Sequence, residues 1–405
     1  MYRGDNMKKF LALFLVLILF CACAQEPKDL TENYTKRTED LTGTPSEKFE
    51  DAQYEFAVEL LKENFKDENA LFSPLSVKLA LAMTLNGAGG ETKAQMEEVL
   101  GLSTEALNEE IYKYVSSLSD DEIHIANSIW INDDGEFIIK EDFLQANADY
   151  YGAGVFKEEF SNSTVRKVNS WVKENTDGMI DNIVDESVKD SRMLLINALA
   201  FEAEWSDVYM KSQVSDGTFT SFSNEKQKVK MMSSTEYYYL EDESTTGFMK
   251  KYRNGKYAFV ALLPKAEIGE YIENLNGTDI KNLIENKTTE SVKCKLPKFS
   301  YDYSVTLNET LKNMGMSNAF DIHLADFFNL SQRQLYIDKV LHKTHIEVGE
   351  KGTRAGAATV VAMNGAAAEI TVKPKEVILD RPFVYMITDT KSNLPIFIGA
   401  LTDVK

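Results

Sequence analysis

Recognisable catalytic and metal-binding signatures are missing from this sequence. Its four histidines and three cysteines form no HExxH and no CxxC pattern, and neither a glycine-rich phosphate loop ending in lysine nor a GxSxG nucleophile elbow is present. His342 and His345 lie in a stretch that predicts a strand, where an odd spacing directs side chains to opposite faces and disfavours a shared metal ion. These absences predict a protein that is not an enzyme and that uses no metal or cofactor.

Cysteine is too scarce for a cross-linked framework. Besides Cys21 and Cys23 near the N-terminus, the chain has only Cys294. A mature chain that begins at an acylated Cys23 therefore has no pair of thiols for an internal disulfide. Residues 292–296 alternate between apolar and charged side chains, which predicts a strand with Cys294 as a small buried hydrophobe. Stability must then come from packing.

Long apolar runs are also rare, and the clearest one covers residues 10–20, directly after a Lys-Lys pair. A run of this length is too short to cross a bilayer and is typical of a signal peptide. Because it ends close to Cys23, we expect residues 1–22 to be a lipoprotein-type signal peptide and Cys23 to be lipidated. An ordinary secretory signal is the alternative. Residues 23–45 are polar and predict a flexible tether between the lipid and the domain.

Positive charge is in deficit. The chain has 44 lysines and arginines against 64 aspartates and glutamates, a net charge of −20. Phosphate and sulfate backbones would repel such a chain, so neither nucleic acid nor heparin is an expected partner. The membrane is expected as a partner only through the N-terminal lipid. We expect an exported lipoprotein at the cell surface or facing the periplasm, or a form released outside the cell.

Helical and extended patterns are unevenly distributed along the chain. Helical periodicity begins at Ser46, and Ser73 and Pro74 form a typical helix start. Residues 193–201 are almost wholly apolar, which predicts a strand buried on both faces. Helices dominate the first part and strands the later part, without regular alternation of the two. The pattern therefore predicts an α+β fold for one domain, residues 46–405.

One segment, residues 350–368, is rich in small uncharged side chains and is too long for an ordinary structureless connection. In an extended conformation Thr353, Ala355, Ala357 and Thr359 would share one face, and the lone later charge, Arg354, would lie on the other. Gly352 offers a hinge. The segment is predicted either to be a flexible surface loop or to be able to join a sheet as a strand without burying an ion.

Several further motifs, in this order, resemble the serpin family over almost the whole chain from about residue 46. They are residues 69–76 (NALFSPLS), Asn197 and Ala198 followed by Phe201 and Trp205, residues 296–299 (LPKF), residues 311–316 (LKNMGM), Ala319 and Phe320, residues 325–327 (ADF), Leu330 and Ser331, and residues 380–383 (DRPF). Each motif alone is weak. The combination, in this spacing, is specific.

The resemblance implies a serpin fold of three β-sheets and eight to nine helices, with an exposed reactive-centre loop at about residues 350–370. It implies a monomer that inhibits serine proteases as a suicide substrate. The protease forms an acyl-enzyme on the loop, the loop inserts into the central sheet, and the covalent complex is trapped. The alternatives are a cross-class inhibitor of cysteine proteases and a non-inhibitory serpin that acts as a binding protein.

The resemblance also assigns site residues. The reactive bond is expected at Ala366–Ala367, with Gly365 and Ala368 marking the neighbouring registers, because the hinge glutamate lies sixteen residues before the attacked residue. A small residue there favours elastase-like or subtilisin-like proteases. The hinge comprises Glu350, Gly352, Thr353, Ala355, Gly356, Ala357, Ala358 and Thr359. Ser73, Ser76, Asn197 and His342 correspond to the shutter, where the sheet must part, and Trp205 corresponds to the breach, where insertion begins.

Overall fold

The computed structural model describes residues 27–39, 43–118, 122–133, 135, 138–353 and 374–405. The helices in these ranges are α1 (Glu47–Asn64), α2 (Pro74–Leu85), α3 (Gly90–Leu100), α4 (Thr104–Ser117), α5 (Glu141–Tyr150), α6 (Asn162–Asn175), α7 (Ile268–Asn274), α8 (Gly277–Glu285) and α9 (Asn308–Asn313). The helix count agrees with the eight to nine expected. Among these helices, none combines the length and apolarity needed to cross a bilayer.

Sixteen strands accompany the helices in the same part of the chain. They are β1 (Ala70–Phe72), β2 (Ile123–Asn132), β3 (Gly154–Glu158), β4 (Met193–Phe201), β5 (Ala203–Glu204), β6 (Val214–Thr220), β7 (Lys226–Glu241), β8 (Thr245–Lys251), β9 (Tyr257–Pro264), β10 (Thr288–Pro297), β11 (Phe299–Thr306), β12 (Lys339–Val348), β13 (Gly352–Thr353), β14 (Lys375–Ile378), β15 (Phe383–Asp389) and β16 (Pro395–Leu401). The order of elements confirms the α+β prediction.

Seven of the described strands form the central sheet, in the order β3-β2-β4-β12-β13-β5 with β11 paired to β12. Strand β4 is buried along its whole length. Its residues alternate between two clusters: Leu194 and Ile196 pack with Val168 and Val172 of α6, whereas Leu195 belongs to the main core. Because helices and the second sheet cover both faces, the nearly unbroken apolar run of β4 is explained.

The other nine described strands form a second sheet, in the order β1-β16-β15-β9-β8-β7-β10-β14, and β6 also pairs with β7. Three sheets were expected from the resemblance, but the described strands form two hydrogen-bonded sheets. The reason is β7, a strand of 16 residues. Its first residues pair with β6 and its last residues pair with β8, while β10 pairs with it from Met231 to Tyr239. One long strand thus joins what would otherwise be two sheets.

Helix α2 positions the polar cluster described below. Ser73 is its N-cap and Pro74 occupies the first turn, as predicted from the sequence. All twelve residues of α2 are buried, because it runs through the core between the two sheets and contacts β2, β4 and β16. Such a helix holds its N-terminal residues firmly against the central sheet.

Residues 29–37 differ from the flexible tether expected over 23–45. The backbone N–H of Leu30 donates to the carbonyl of Val155 at 2.9 Å, and Thr31 is buried. The guanidinium of Arg37 is 2.9 Å from the carboxylate of Glu109 and lies over the ring of Tyr112. The segment carries enough apolar and paired groups to adhere to β3 and α4, which its overall polarity did not indicate.

Candidate functional site

The end of the central sheet nearest the long loop is held apart by the loop's own first residues. Strand β12 pairs directly with β4 only from Lys339 to Lys343. Further along, Thr353 of β13 pairs with Val348 on one side and Ala203 on the other, antiparallel to both. The chain therefore turns back after β12 and starts a new strand between its neighbours. We call these two residues of β13 the wedge.

The wedge has no room for a side chain at its first residue and buries a hydroxyl at its second. A Cβ on Gly352 would lie 2.0 Å from the carbonyl oxygen of Ala203, so any side chain would force the backbones apart. Thr353 is 2 % exposed, and its hydroxyl lies 2.6 Å from the hydroxyl of Tyr252. Burial raises the pKa of Tyr252, so the phenol stays protonated. The face that alternation assigned to burial is therefore the buried face at Thr353.

Two aromatic residues hold the root of the loop. The indole Nε1–H of Trp205 donates to the carbonyl of Gly349 at 2.9 Å, and its backbone N–H donates to Lys351 at 2.8 Å. The backbone N–H of Tyr209 donates to Glu350 at 2.9 Å. Trp205 is 1 % exposed. Three consecutive loop carbonyls are thus bound where the sheet begins to open, at the position expected for the breach.

Glu350 forms an ion pair across this region. Its carboxylate lies 2.7 Å from Nζ of Lys298. The hydrogen bond from Lys298 holds the pKa of the Glu350 carboxyl below its usual range. Both side chains are more than a third exposed, so the pair positions the loop root more than it stabilises the fold.

Below the wedge, His342 and Asn197 join β12 to β4. His342 is fully buried, and its Nε2 accepts the backbone N–H of Ser73 at 3.1 Å. The proton must therefore be on Nδ1, which donates to the side-chain oxygen of Asn197 at 2.5 Å. Burial lowers the pKa of His342 to about 3, so the ring is neutral at pH 7.

Ser76 extends this cluster to the next strand. Its hydroxyl donates to Oδ1 of Asn127 at 2.8 Å, and its backbone N–H donates to the Ser73 hydroxyl at 3.2 Å. Asn127 lies directly opposite Asn197 in the sheet. The four predicted shutter residues therefore lie in one buried network across β2, β4 and β12. A network of hydrogen bonds can hold strands together and still release them at moderate cost.

Sequence reasoning missed Asn127 and Tyr252, which complete these contacts. Asn127 interrupts an alternating apolar strand with a polar residue, a signal that was available in the sequence. Tyr252 gave no such signal, since an aromatic residue beside a strand end is ordinary. The predictions for Ala355, Gly356, Ala357, Ala358, Thr359, the Ala366–Ala367 bond and Cys23 lie outside the described residues.

The remaining candidates of the sequence are structural. Cys294 is 2 % exposed on β10, and burial raises the pKa of its thiol, so it is no nucleophile. His345 faces away from His342 and lies 2.7 Å from the carboxylate of Asp302. In the part of the chain that the structure describes, no group of three or more His, Cys, Asp or Glu side chains is arranged to hold a metal ion.

The central sheet thus pairs on both sides with the first two residues of its own long loop. Comparison with known proteins gives the family. The family model described as "Serpin (serine protease inhibitor)" matches residues 51–404. This chain belongs to the serpin family.

Relatives and solved structures agree. A serpin-like protein of Thermococcus kodakarensis is 31% identical, covering 86% of this chain and 84% of its own length. Leukocyte elastase inhibitor A of Mus musculus is 30% identical, with 85% and 96% covered. The thermophilic serpin tengpin in its native state aligns with a TM-score of 0.87 and 44% identity, covering 93% of this chain and 100% of that chain. Its latent state aligns with a TM-score of 0.78 and 42% identity, covering 90% and 100%.

Proposed function

We propose that this serpin is a suicide-substrate inhibitor of serine proteases of the elastase or subtilisin type, which attack it at Ala366–Ala367. The observation that carries the proposal is the wedge, because Thr353 already pairs with both β12 and β5. The polar network that joins β4 and β12 supports it as well. The name of the mouse relative, a leukocyte elastase inhibitor, agrees with a small residue at the attacked bond.

The wedge also sets the register of a strand that would follow it. Thr359 is six residues beyond Thr353, and six residues back from Val348 and Ala203 are His342 and Asn197. Those two residues are already opposite each other in the closed sheet. Continuing the same register would therefore bring Thr359 between the two shutter residues, on the buried face that it shares with Thr353.

This register explains how the free-energy cost of separating β4 from β12 can be offset. Inserting the loop breaks the contact between His342 and Asn197, which leaves buried polar groups without partners. The hydroxyl of Thr359 would arrive at that point and can both donate and accept a hydrogen bond. The small side chains of Ala355 and Ala357 would fill the positions between. Insertion would then replace the hydrogen bonds of the closed sheet with a larger number of hydrogen bonds.

The chemistry of inhibition follows the acyl-enzyme route. The protease serine oxygen would attack the carbonyl carbon of Ala366, and the bond to Ala367 would break, leaving an amino group on Ala367. The freed loop would insert and draw the acylated protease along the sheet. Distortion of the oxyanion hole and triad would slow hydrolysis of the ester.

We also propose that the chain is exported and acts as a monomer anchored at Cys23. The signal-like residues 1–22 and the cysteine that follows support this proposal. Radiolabelled palmitate fed to expressing cells should label the chain. Replacing Cys23 by Ser should abolish the label, and an equally labelled variant would contradict the assignment.

Mixing the purified protein with pancreatic elastase tests the proposed function. We expect a covalent complex that survives boiling in SDS, and a released C-terminal fragment whose mass corresponds to residues 367–405. Elastase lacking its catalytic serine is the control and should give no such complex. Cleaved inhibitor with fully active protease at every ratio would contradict inhibition. A complex with papain but not with elastase would instead assign the chain to cysteine proteases.

A further inference from the structure

A lysine is buried directly behind the root of the loop. Lys250 of β8 is 1 % exposed, and its Nζ lies 2.9 Å from the carboxylate of Glu236 on β7. Nζ also donates to the backbone carbonyl of Asp207 at 3.1 Å. Lysines are almost never this buried without a partner, and removing such a charge from water is costly. The position thus holds a paired ion where a core residue would be expected.

This ion pair contacts both aromatic residues of the breach. Nζ of Lys250 lies 4.6 Å from the ring centroid of Tyr209 and 5.5 Å from that of Trp205, within the range of cation–π attraction. On the other side, the carboxylate of Glu236 accepts the Ser234 hydroxyl at 2.7 Å. The Ser234 hydroxyl is in turn 3.3 Å from the Tyr209 hydroxyl. Trp205 faces the cation, and Tyr209 is linked to both charges.

The same two aromatic residues bind the carbonyls of residues 349–351, as described above. Lys250 therefore contacts the rings of both residues that bind these carbonyls: Trp205 uses its indole Nε1–H and its backbone N–H, and Tyr209 uses its backbone N–H. An apolar side chain of similar size would commonly stabilise a core as well as a buried ion pair does. Stability alone thus gives no reason for an ion pair here, whereas fixing the geometry of neighbouring groups does.

We propose that the Lys250–Glu236 pair is a positioning element that sets how readily the loop enters the sheet. It fixes the orientation of Trp205 and Tyr209, and through them the root of the loop, so that the uncleaved chain resists further insertion. The inference rests on the proposed function, because it assigns regulation to the loop insertion proposed there. It concerns the uncleaved chain, which makes it measurable without any protease.

The test uses the purified full chain and the Lys250→Met variant, both held just below their unfolding midpoints. The spontaneous conversion to an uncleaved, loop-inserted form is followed as the fraction whose loop becomes resistant to cleavage. We expect Lys250→Met to convert at least about tenfold faster than the wild type, because Glu236 loses its partner and the aromatic residues lose the cation. Lys250→Arg keeps the charge and should convert at nearly the wild-type rate.

A matched control separates positioning from general destabilisation. Lys281 on α8 is also mostly buried and lies 3.5 Å from Glu50 of α1. Lys281→Met should lower the unfolding midpoint but leave the conversion rate near that of the wild type. Equal acceleration by Lys281→Met, or no acceleration by Lys250→Met, would overturn the inference. Failure of the wild-type chain to trap elastase would refute the proposed function and leave this result unaffected.

Discussion

His342 shows how one buried side chain can make the stability of this protein depend on pH. Its imidazole has one acceptor, used by Ser73, and one donor, used by Asn197. A second proton on Nε2 would face the Ser73 N–H instead of an acceptor. Protonation therefore breaks a contact and also places a charge in the core.

The pKa of His342 is lowered to about 3 in the folded chain, compared with about 6.5 in unfolded chains. As the pH falls below about 6.5, the unfolded state binds the proton first, so stability present above that pH is lost down to about pH 3. The expected loss is about 1.4 kcal/mol per pH unit from this group. His342→Gln should lack this part of the slope. Urea denaturation of both proteins between pH 7 and pH 4 measures how the free energy of unfolding changes with pH. Parallel slopes for the two proteins would contradict the prediction.

Single residues also show what the sequence can and cannot reveal. Ser73, Ser76, Asn197 and His342 were predictable because their motifs resemble the family's. The tautomer of His342 and the involvement of Asn127 were not, since they depend on which strands the fold places side by side. Lys250 gave no signal at all, because a lysine in a strand of mixed polarity normally faces solvent.

At the scale of elements, the wedge is the informative feature. The sequence alone predicted either a flexible surface loop or a segment able to join a sheet, but the residue at which such a strand begins depends on the gap between β12 and β5. That gap is set by packing around Trp205 and Tyr252, whose rings are stacked with centroids 4.5 Å apart. Alternation of small residues therefore gave the face of the strand, and only tertiary structure gave its starting point.

A charge in the wedge should block insertion. Thr353→Arg would bury a guanidinium beside Tyr252 without a carboxylate, so the loop should be cleaved before it can insert. We expect the protein to become a substrate, with a fall of about tenfold or more in the fraction trapped as covalent complex. Thr353→Ser keeps the hydroxyl and should behave like the wild type. SDS gels of both variants mixed with elastase measure the fraction trapped as covalent complex. Unchanged trapping by Thr353→Arg would refute the insertion argument.

The N-terminal segment is an element that sequence reasoning misjudged. Composition suggested a free linker, yet the backbone at Leu30 is hydrogen-bonded and the Arg37 side chain is paired. Contacts of this kind depend on a receptive surface, here Val155 of β3 and Glu109 of α4, which lies far away in the sequence. Polarity alone could not reveal it.

For the whole molecule, the fold keeps a strand position partly filled. The α+β class, the buried strand at residues 193–201 and the family were predictable because they follow from local patterns and ordered motifs. The fusion of two expected sheets through β7 was not, since the length of that strand depends on partners on both sides.

Nicking the loop should therefore stabilise the molecule. An inserted strand would add about ten backbone hydrogen bonds at about 1 kcal/mol each, which corresponds to a rise in Tm of roughly 15–30 °C. Calorimetry before and after limited cleavage with elastase measures the change. Nicked Thr353→Arg is the matched control and should show little gain. An equal Tm for intact and nicked wild type would rule out insertion.

The docked N-terminal segment has a mechanical consequence. If Cys23 carries the lipid as proposed, five residues separate the anchor from Asp29, whose carboxylate accepts the Val155 N–H. Fully extended, the chain from Cys23 to Asp29 reaches about 20 Å. An unattached tether from Cys23 to residue 46 would reach about 80 Å. The domain would then lie close to the bilayer, with its β3 side facing the membrane. The inhibitor would then meet proteases that act at the membrane surface. It would not reach enzymes that diffuse farther from the membrane.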